Sequence, residues 1–388
     1  MERWRSLAGI LAAVTVVVGV EHLSLWRRLV HDVGFSPLVS VGLSVVLGLL
    51  AASVPLAVVV SRILPPRQSR WLVTPVFTWL GFSVLLSLTL LVLEPLRTVL
   101  HLGAREAAAL ALVSGAGLGL WAASEGRRLR VKRVEVALPR LPAALDGLTL
   151  VQLSDVHLGP TSGRRFLERA VALTNQLQAD AVVITGDLVD APVHQLTEEV
   201  APLASLDAPL GTFFVTGNHE YHAGPSQWCE HLESLGVRVL RNELVRLERD
   251  GAVVQLAGTD DSDPAGRQEG FAEDLSLALR GSDPAAPLVL LAHQPKTVHQ
   301  AAQHGVGLQL SGHTHGGQLW PLGWLLRGSQ PVVSGLRWFG QTALYVSNGT
   351  GHSGPPMRLG TPAEITQIVL RKSEANAGAE ADHHASRR

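Results

Sequence analysis

Two stretches without a single charged residue, Val33–Ser61 and Trp71–Leu93, constrain this chain more than any other feature. A helix of about 20 apolar residues, rising about 1.5 Å per residue, crosses the hydrocarbon layer of a bilayer. A water-soluble fold has little use for successive uncharged runs of this length. Ala107–Ser124 is a third candidate span, and its Gly115-Ala116-Gly117-Leu118-Gly119 run would let helices approach closely. Ser6–Val20 reads as an uncleaved first helix, since no small-residue cleavage site follows it while Glu21, His22 and Trp26 do. The expectation is a membrane region over residues 1–126 with about four transmembrane helices. Arg3, Arg5, Arg62, Arg67, Arg70 and the cluster Arg127, Arg128, Arg130, Lys132 and Arg133 then share one side, against Arg27, Arg28, Arg97 and Arg105 on the other. Retention of positive charge at the cytoplasmic face places the N-terminus and the C-terminal part in the cytoplasm of a cell-membrane protein.

Hydrophobic residues make up 46% of the 388, and the excess lies before about Glu125, so two solvents are implied. A formal net charge of −1 argues against a general nucleic-acid binder. The bilayer and a substrate are the expected partners, with no obligate protein partner evident. The single cysteine, Cys229, rules out an intrachain disulfide and a cysteine-rich zinc site; in a helical-looking stretch away from every motif, it reads as a small buried hydrophobe.

Residues 127–139 read as a basic juxtamembrane linker. After Pro139 the chain changes to short apolar runs that end in polar motifs, separated by amphipathic stretches, the pattern of an α/β domain over 140–372. Leu148–Leu153 ends in Ser-Asp-Val-His, Ala181–Ile184 in Thr-Gly-Asp, and Thr212–Val215 in Thr-Gly-Asn-His-Glu. Leu288–Leu291 ends in Ala-His-Gln-Pro and Val306–Leu310 in Ser-Gly-His-Thr-His-Gly-Gly. Phe166, Ala170, Leu173 and Leu177 recur at helical spacing between the first two strands, which makes that pair parallel. Val253–Ala257, Leu344–Val346 and Ile365–Leu370 supply further strands, and the polar tail 373–388, with His383 and His384, reads as disordered. Ligands of such sheets bind beyond the carboxyl ends of the strands, so five distant motifs can converge.

Their chemistry is that of a metal site. Two divalent cations need a bridging carboxylate, with imidazole and oxygen donors completing each shell. Asp155 and His157, one residue apart at a strand end, suit one cation. Asp187 is the natural bridge, and Asn218 can lend its amide oxygen to the second cation without adding charge. His293 and the pair His313 and His315 supply three more imidazoles, alternate members of the pair serving different cations. Manganese, iron, zinc and cobalt all accept such mixed shells.

Asp155-Val-His157, Gly186-Asp187, Gly217-Asn218-His219-Glu220, His293 and Gly312-His313-Thr314-His315 stand in the order of the calcineurin-like metallophosphoesterase signature, which the chain resembles over Leu148–Leu370. The surrounding strings are similar to the membrane-attached bacterial subgroup with several N-terminal helices, and to the lipid-A-pathway diacylglucosamine pyrophosphatases. The resemblance implies a four-layer α/β/β/α sandwich with two mixed sheets between helices. It implies that Asp155, His157, Asp187 and His315 hold one metal, that Asp187, Asn218, His293 and His313 hold the other, and that His219 is the catalytic acid. A hydroxide between the metals would then attack phosphorus in a phosphodiester or pyrophosphate while His219 protonates the leaving oxygen. Asp207 or Glu220 would orient that histidine, or serve only as a helix cap or surface ion. Asn348 stands where the subgroup leads one to expect arginine.

Leu319-Trp320-Pro321-Leu322-Gly323-Trp324-Leu325-Leu326-Arg327 follows the last ligand pair as an apolar lip with a basic residue behind it. Exposed, it would dip into a bilayer surface and admit a phospholipid or glycolipid phosphate; buried, it is core. A phosphoesterase for soluble nucleotides or phosphoproteins, and a non-catalytic binding module, are the competing readings. His219 argues against the last, because binding alone has no use for a general acid.

Overall fold

The computed structural model describes residues 2–373, and the expected disordered tail lies outside them apart from Ser373. The chain divides into two compact units, Met1–Arg127 with Gly354–Leu359, and Arg128–Ser353 with the residues from Gly360 on.

The first unit contains α1 (Glu2–Trp26), α2 (Pro37–Ile63), α3 (Pro66–Val99) and α4 (Ala104–Gly126). Among the described residues α2, α3 and α4 are the three helices long and apolar enough to cross a membrane. Leu38, Leu49, Leu91, Val113 and Leu120 stand exposed on them, a surface that suits hydrocarbon rather than water. The first uncharged run does not start a helix at Val33: a π-helical segment over Arg27–His31 leads into a turn, and the helix begins at Pro37, whose fixed φ suits a first helical position. The glycine run in α4 fits close packing on α3, since a Cβ on Gly119 would meet Phe82 Cδ2 at 2.8 Å. His22 is buried, and its Nε2 accepts from the Trp79 indole at 3.0 Å, a packing role.

Among the described residues the second unit holds twelve strands in two six-stranded sheets. In chain order they are β1 (Leu129–Leu138), β2 (Thr149–Leu153), β3 (Ala181–Thr185), β4 (Thr212–Val215), β5 (Val237–Val239), β6 (Glu243–Arg249), β7 (Ala252–Gly258), β8 (Leu288–Leu291), β9 (Leu308–Ser311), β10 (Gly335–Phe339), β11 (Thr342–Val346) and β12 (Ala363–Lys372). One sheet runs β1-β12-β2-β3-β4-β5 and the other β10-β11-β9-β8-β7-β6. Both are mixed: β2, β3, β4 and β5 run parallel, as do β7, β8, β9 and β11, while β12 pairs antiparallel with β2, β6 with β7 and β10 with β11. Residues 127–139, expected as a linker, instead supply β1, which pairs in parallel with β12 along its length.

Alternation along the strands builds two faces. Leu150, Val183, Phe213 and Val215 of one sheet meet Leu256, Val289, Leu291, Leu308 and Leu310 of the other in a shared core. Val151, Leu153, Val182, Ile184 and Phe214 point the other way and pack on Leu167, Ala170, Leu196, Trp228 and Leu232 from α5 (Arg164–Gln176), α6 (Val193–Val200) and α8 (Pro225–Ser234), between which lies the short α7 (Asn218–Ala223). Short helices cover the outer face of the second sheet through Leu275, Leu279 and Ala301. This is the expected helix, sheet, sheet, helix layering, and the carboxyl ends of β2, β3, β4, β8 and β9 come together at one edge.

Candidate metal centre

All seven expected ligands and His219 meet at that edge. The donor atoms of Asp155, His157 and His315 lie within 4.8 Å of one another, as do those of Asp187, His293 and His313, and those of His157, Asp187 and His219. Asp187 thus stands between two imidazole groups, its Oδ2 3.2 Å from His293 Nε2 and 3.8 Å from His157 Nε2. His157 Nε2 is 3.0 Å from His315 Nε2, and His313 Nδ1 is 3.1 Å from Asn218 Oδ1.

The backbone makes this convergence. Asp155, His157, Asp187, His313 and His315 all have φ between 49° and 71°, the left-handed region that side chains other than glycine seldom adopt. Such strain, of order 1–3 kcal/mol per residue, persists where the surrounding fold over-determines it and gathers at functional sites. Close approach needs glycine as well: a Cβ on Gly312 would collide with Asp155 Oδ2, and one on Gly186 would sit 2.6 Å from His293 Nδ1.

The hydrogen bonds fix which nitrogens are free. His293 Nδ1 lies 2.7 Å from the Thr185 carbonyl, which can only accept, so that nitrogen carries the proton and Nε2 turns a lone pair toward Asp187. His157 Nδ1 donates to Asp190 Oδ1 at 2.8 Å, which likewise leaves Nε2 as a lone pair facing His315. Lone pairs and carboxylates aimed at common points repel unless a proton or a cation lies between them, so the donor set fits divalent metal ions.

The titration behaviour follows from the same crowding. Burial raises the Asp187 carboxyl, but His293, His219 and His157 outweigh it and hold it well below the usual range. Burial works against charging His293, and Asp187 overrides it, raising that ring well above an ordinary histidine. His313 goes the other way, pushed down to about 3 by burial and then by His293, and so stays a neutral donor. Asp155 is raised, chiefly by burial. A cation at this edge would replace the shared protons, which ties metal uptake to pH.

His219 is partly open, at 31% side-chain exposure, and its Nδ1 donates to Asp190 Oδ1 at 2.7 Å. Burial disfavours its charge, yet Asp187 and Asp190 push the ring up to about 10. Asp190 is held far below the usual range: burial raises it, and His157 and His219 prevail. Neither acid considered from the sequence takes this place. Glu220 accepts backbone N–H groups from Gly217, Asp187, Leu188 and Val189 at 2.7 to 3.2 Å, capping α7 and tying it to the loop after β3. Asp207 lies before β4, its N–H bonded to Asn175. Asp190 is the residue that motif reading missed; the only signal was an acid three positions after Asp187 on the same loop. Asn348 is buried, bonded to Glu364 and Ser334. Trp320, Trp324 and Leu325 of the lip are 58%, 60% and 78% exposed, so they are not core.

Comparison with known proteins agrees with this geometry. The family model described as calcineurin-like phosphoesterase matches residues 148–317. The chain is 39% identical over 328 residues to a transmembrane protein with metallophosphoesterase domain from Danio rerio, covering 79% of this chain and 75% of that one. A protein of the same description from Bos taurus is 44% identical over 252 residues, 62% of this chain and 57% of its own length. An uncharacterized metallophosphoesterase from Aquifex aeolicus is 34% identical over 265 residues, 66% of this chain and 96% of its own.

Proposed function

Since this chain belongs to the calcineurin-like phosphoesterase family and is a phosphoester hydrolase of the membrane, we propose that it works with two divalent metals on a phosphodiester or pyrophosphate bond of a membrane lipid or lipid-linked phosphate. The observation that carries the two-metal reading is the position of Asp187 between two imidazole groups, His157 on one side and His293 with His313 on the other. Asp155, His157, Asp187 and His315 would hold one ion, and Asp187, Asn218, His293 and His313 the other. Bound there, the metals supply an acidified water and neutralise charge on the phosphoryl oxygens.

The chain's own residues do the rest. The left-handed backbone at Asp155, His157, Asp187, His313 and His315 sets the donors before any ion arrives, so little reorganisation accompanies binding. Asp190 fixes the His219 ring through Nδ1, which leaves Nε2, 3.9 Å from Asp187 Oδ2, on the site side. A proton held on that nitrogen is in position for a leaving oxygen. The exposed Trp320, Trp324 and Leu325 favour a lipid over a soluble substrate, because aromatic and leucine side chains partition to the bilayer interface. The basic clusters at Arg62–Arg70 and Arg127–Arg133 support a cytoplasmic catalytic domain on the plasma membrane.

The test is turnover of a chromogenic phosphodiester by the detergent-purified chain, with manganese and with chelator, beside Asp187→Ala and His219→Ala. Metal-dependent hydrolysis, lost in Asp187→Ala and reduced about 10²- to 10⁴-fold in His219→Ala, is expected. Activity that survives chelation or the Asp187 change would refute the site. For the substrate class, changing Trp320 and Trp324 to serine should abolish turnover of lipid substrates and spare a soluble aryl phosphate. Equal losses on both would sink the lipid reading.

A further inference from the structure

The second sheet brings a sixth strand end to the metal edge. β7 lies beside β8 in parallel, with Gly258 opposite Leu291, so Thr259-Asp260-Asp261 leave the sheet next to Ala292-His293-Gln294. Both aspartates are buried, at 1% and 2% exposure, and the fold treats them in opposite ways. Asp260 has a full counter-charge: Arg241 donates to its two oxygens at 3.2 and 2.9 Å. Asp261 has only neutral donors, and on one oxygen alone. Its Oδ1 accepts from Gln294 Nε2 at 2.9 Å and from the Asp263 N–H at 2.8 Å, while Oδ2, also buried, has no partner among the described residues. Its backbone is pinned by the Thr216 hydroxyl and the Tyr221 phenol, which ties this position to the Asn218-bearing loop as well as to the His293-bearing one.

A buried carboxylate oxygen without a partner is costly and calls for a compensating charge or donor. Burial raises this acid, and among the charges that act on it His293 pulls it down while Asp187 pushes it up. Its bond to Gln294, next to His293, and the Thr216 and Tyr221 bonds to its backbone place it beside the Asn218, His293 and His313 side of the metal edge. We propose that Asp261 is a positioning residue for a divalent cation on that side. Its uncompensated charge and open oxygen favour cation binding there, and its bond to Gln294 steadies the loop that carries His293. Outer carboxylates of this kind typically change metal affinity about 10- to 100-fold when removed. The proposal rests on the metal reading above, but not on there being two ions.

Manganese(II) titrated into the chelator-stripped, detergent-purified full chain tests it, with bound metal counted directly and the metal-free melting temperature as a second readout. Asp261→Asn keeps the shape and both Oδ1 bonds and deletes the charge. One binding step should weaken about 10- to 100-fold while the metal-free melting temperature holds or rises. Asp260→Asn, which breaks the Arg241 pair, should lower the melting temperature and leave each binding step unchanged. In a His293→Ala background, Asp261→Asn should add nothing further. Wild-type affinity at every step in Asp261→Asn overturns the proposal, and so does a loss of affinity that tracks a fall in metal-free melting. A wild-type chain that takes one ion defeats the two-metal reading, while the effect of Asp261→Asn on that one ion still decides for or against Asp261.

Discussion

Asp190 joins two functions on one atom, since its Oδ1 accepts from His219 Nδ1 at 2.7 Å and from His157 Nδ1 at 2.8 Å. Because both bonds end on the same oxygen, Asp190→Asn can keep the geometry with its carbonyl in place and remove only the charge. A hydrogen bond to a charged group contributes about 1.5–3 kcal/mol, roughly twice a neutral one, so the amide should forfeit about 0.75–1.5 kcal/mol at His219. With about 1.4 kcal/mol per tenfold in rate, kcat at saturating metal should fall about 3- to 12-fold. Asp190→Ala, which loses the whole bond, should fall about 10- to 150-fold. The His157 arm appears separately as metal affinity weakened about 10- to 100-fold, which saturating metal removes. The pH profile gives an independent reading. As the proposed acid, His219 would act in its protonated form, so activity should decline as pH rises past its pKa; Asp190 is among the groups that raise that pKa, and its neutralisation should move this basic limb to lower pH. The assay is steady-state turnover of a soluble phosphodiester across pH, in the wild-type and His219→Ala backgrounds. Additive losses of the two changes, or a kcat for Asp190→Ala equal to wild type at saturating metal, would refute the coupling of Asp190 to His219.

Two further outcomes concern stability and reactivity. Glu220→Gln replaces an acceptor of four backbone N–H groups with a side chain that presents its own donors, and should lower stability by about 2 kcal/mol or more; an unchanged melting temperature in detergent would count against its role in tying α7 to the loop after β3. Burial pushes the Cys229 thiol up to about 12, with Arg241 opposing, so at pH 8 only about one part in ten thousand is thiolate; iodoacetamide should label it rapidly only after denaturation, and fast labelling of the native chain would contradict that environment.

The parts of this fold that could be read from the sequence are those written locally. Each apolar run of β2, β3, β4, β8 and β9 is followed at once by its donors, with a glycine in the turn after β3, β4 and β9, so strand, turn and ligand share one short string. The lip was legible in composition, but not which of its residues face solvent: Trp320, Trp324 and Leu325 are exposed while Leu319 is buried. What failed was written across the sheet. The Leu129–Leu138 segment alternates basic and apolar residues, which beside a membrane helix reads as a topology signal and a linker. Its pairing with β12, more than 200 residues away, makes it an edge strand that buries Val136 and Leu138 and leaves much of its basic face to solvent. Glu243–Arg249 alternates in the same way and becomes β6 only against β7.

The site divides along the same line. Ligands are tied to the turn that carries them, whereas a residue that orients a ligand is defined by where its side chain arrives from another loop. Asp190, Asp207, Glu220 and Asp261 are indistinguishable as letters. One holds two histidines, one bonds a helix by its backbone, one gathers four N–H groups, and one lies buried with an open oxygen. Local preference would also have argued against the site's own geometry, because five of its side-chain donors occupy left-handed backbone that their residue types disfavour. Fold energy therefore holds the donors in place, and local propensity rules are expected to fail where that strain is stored.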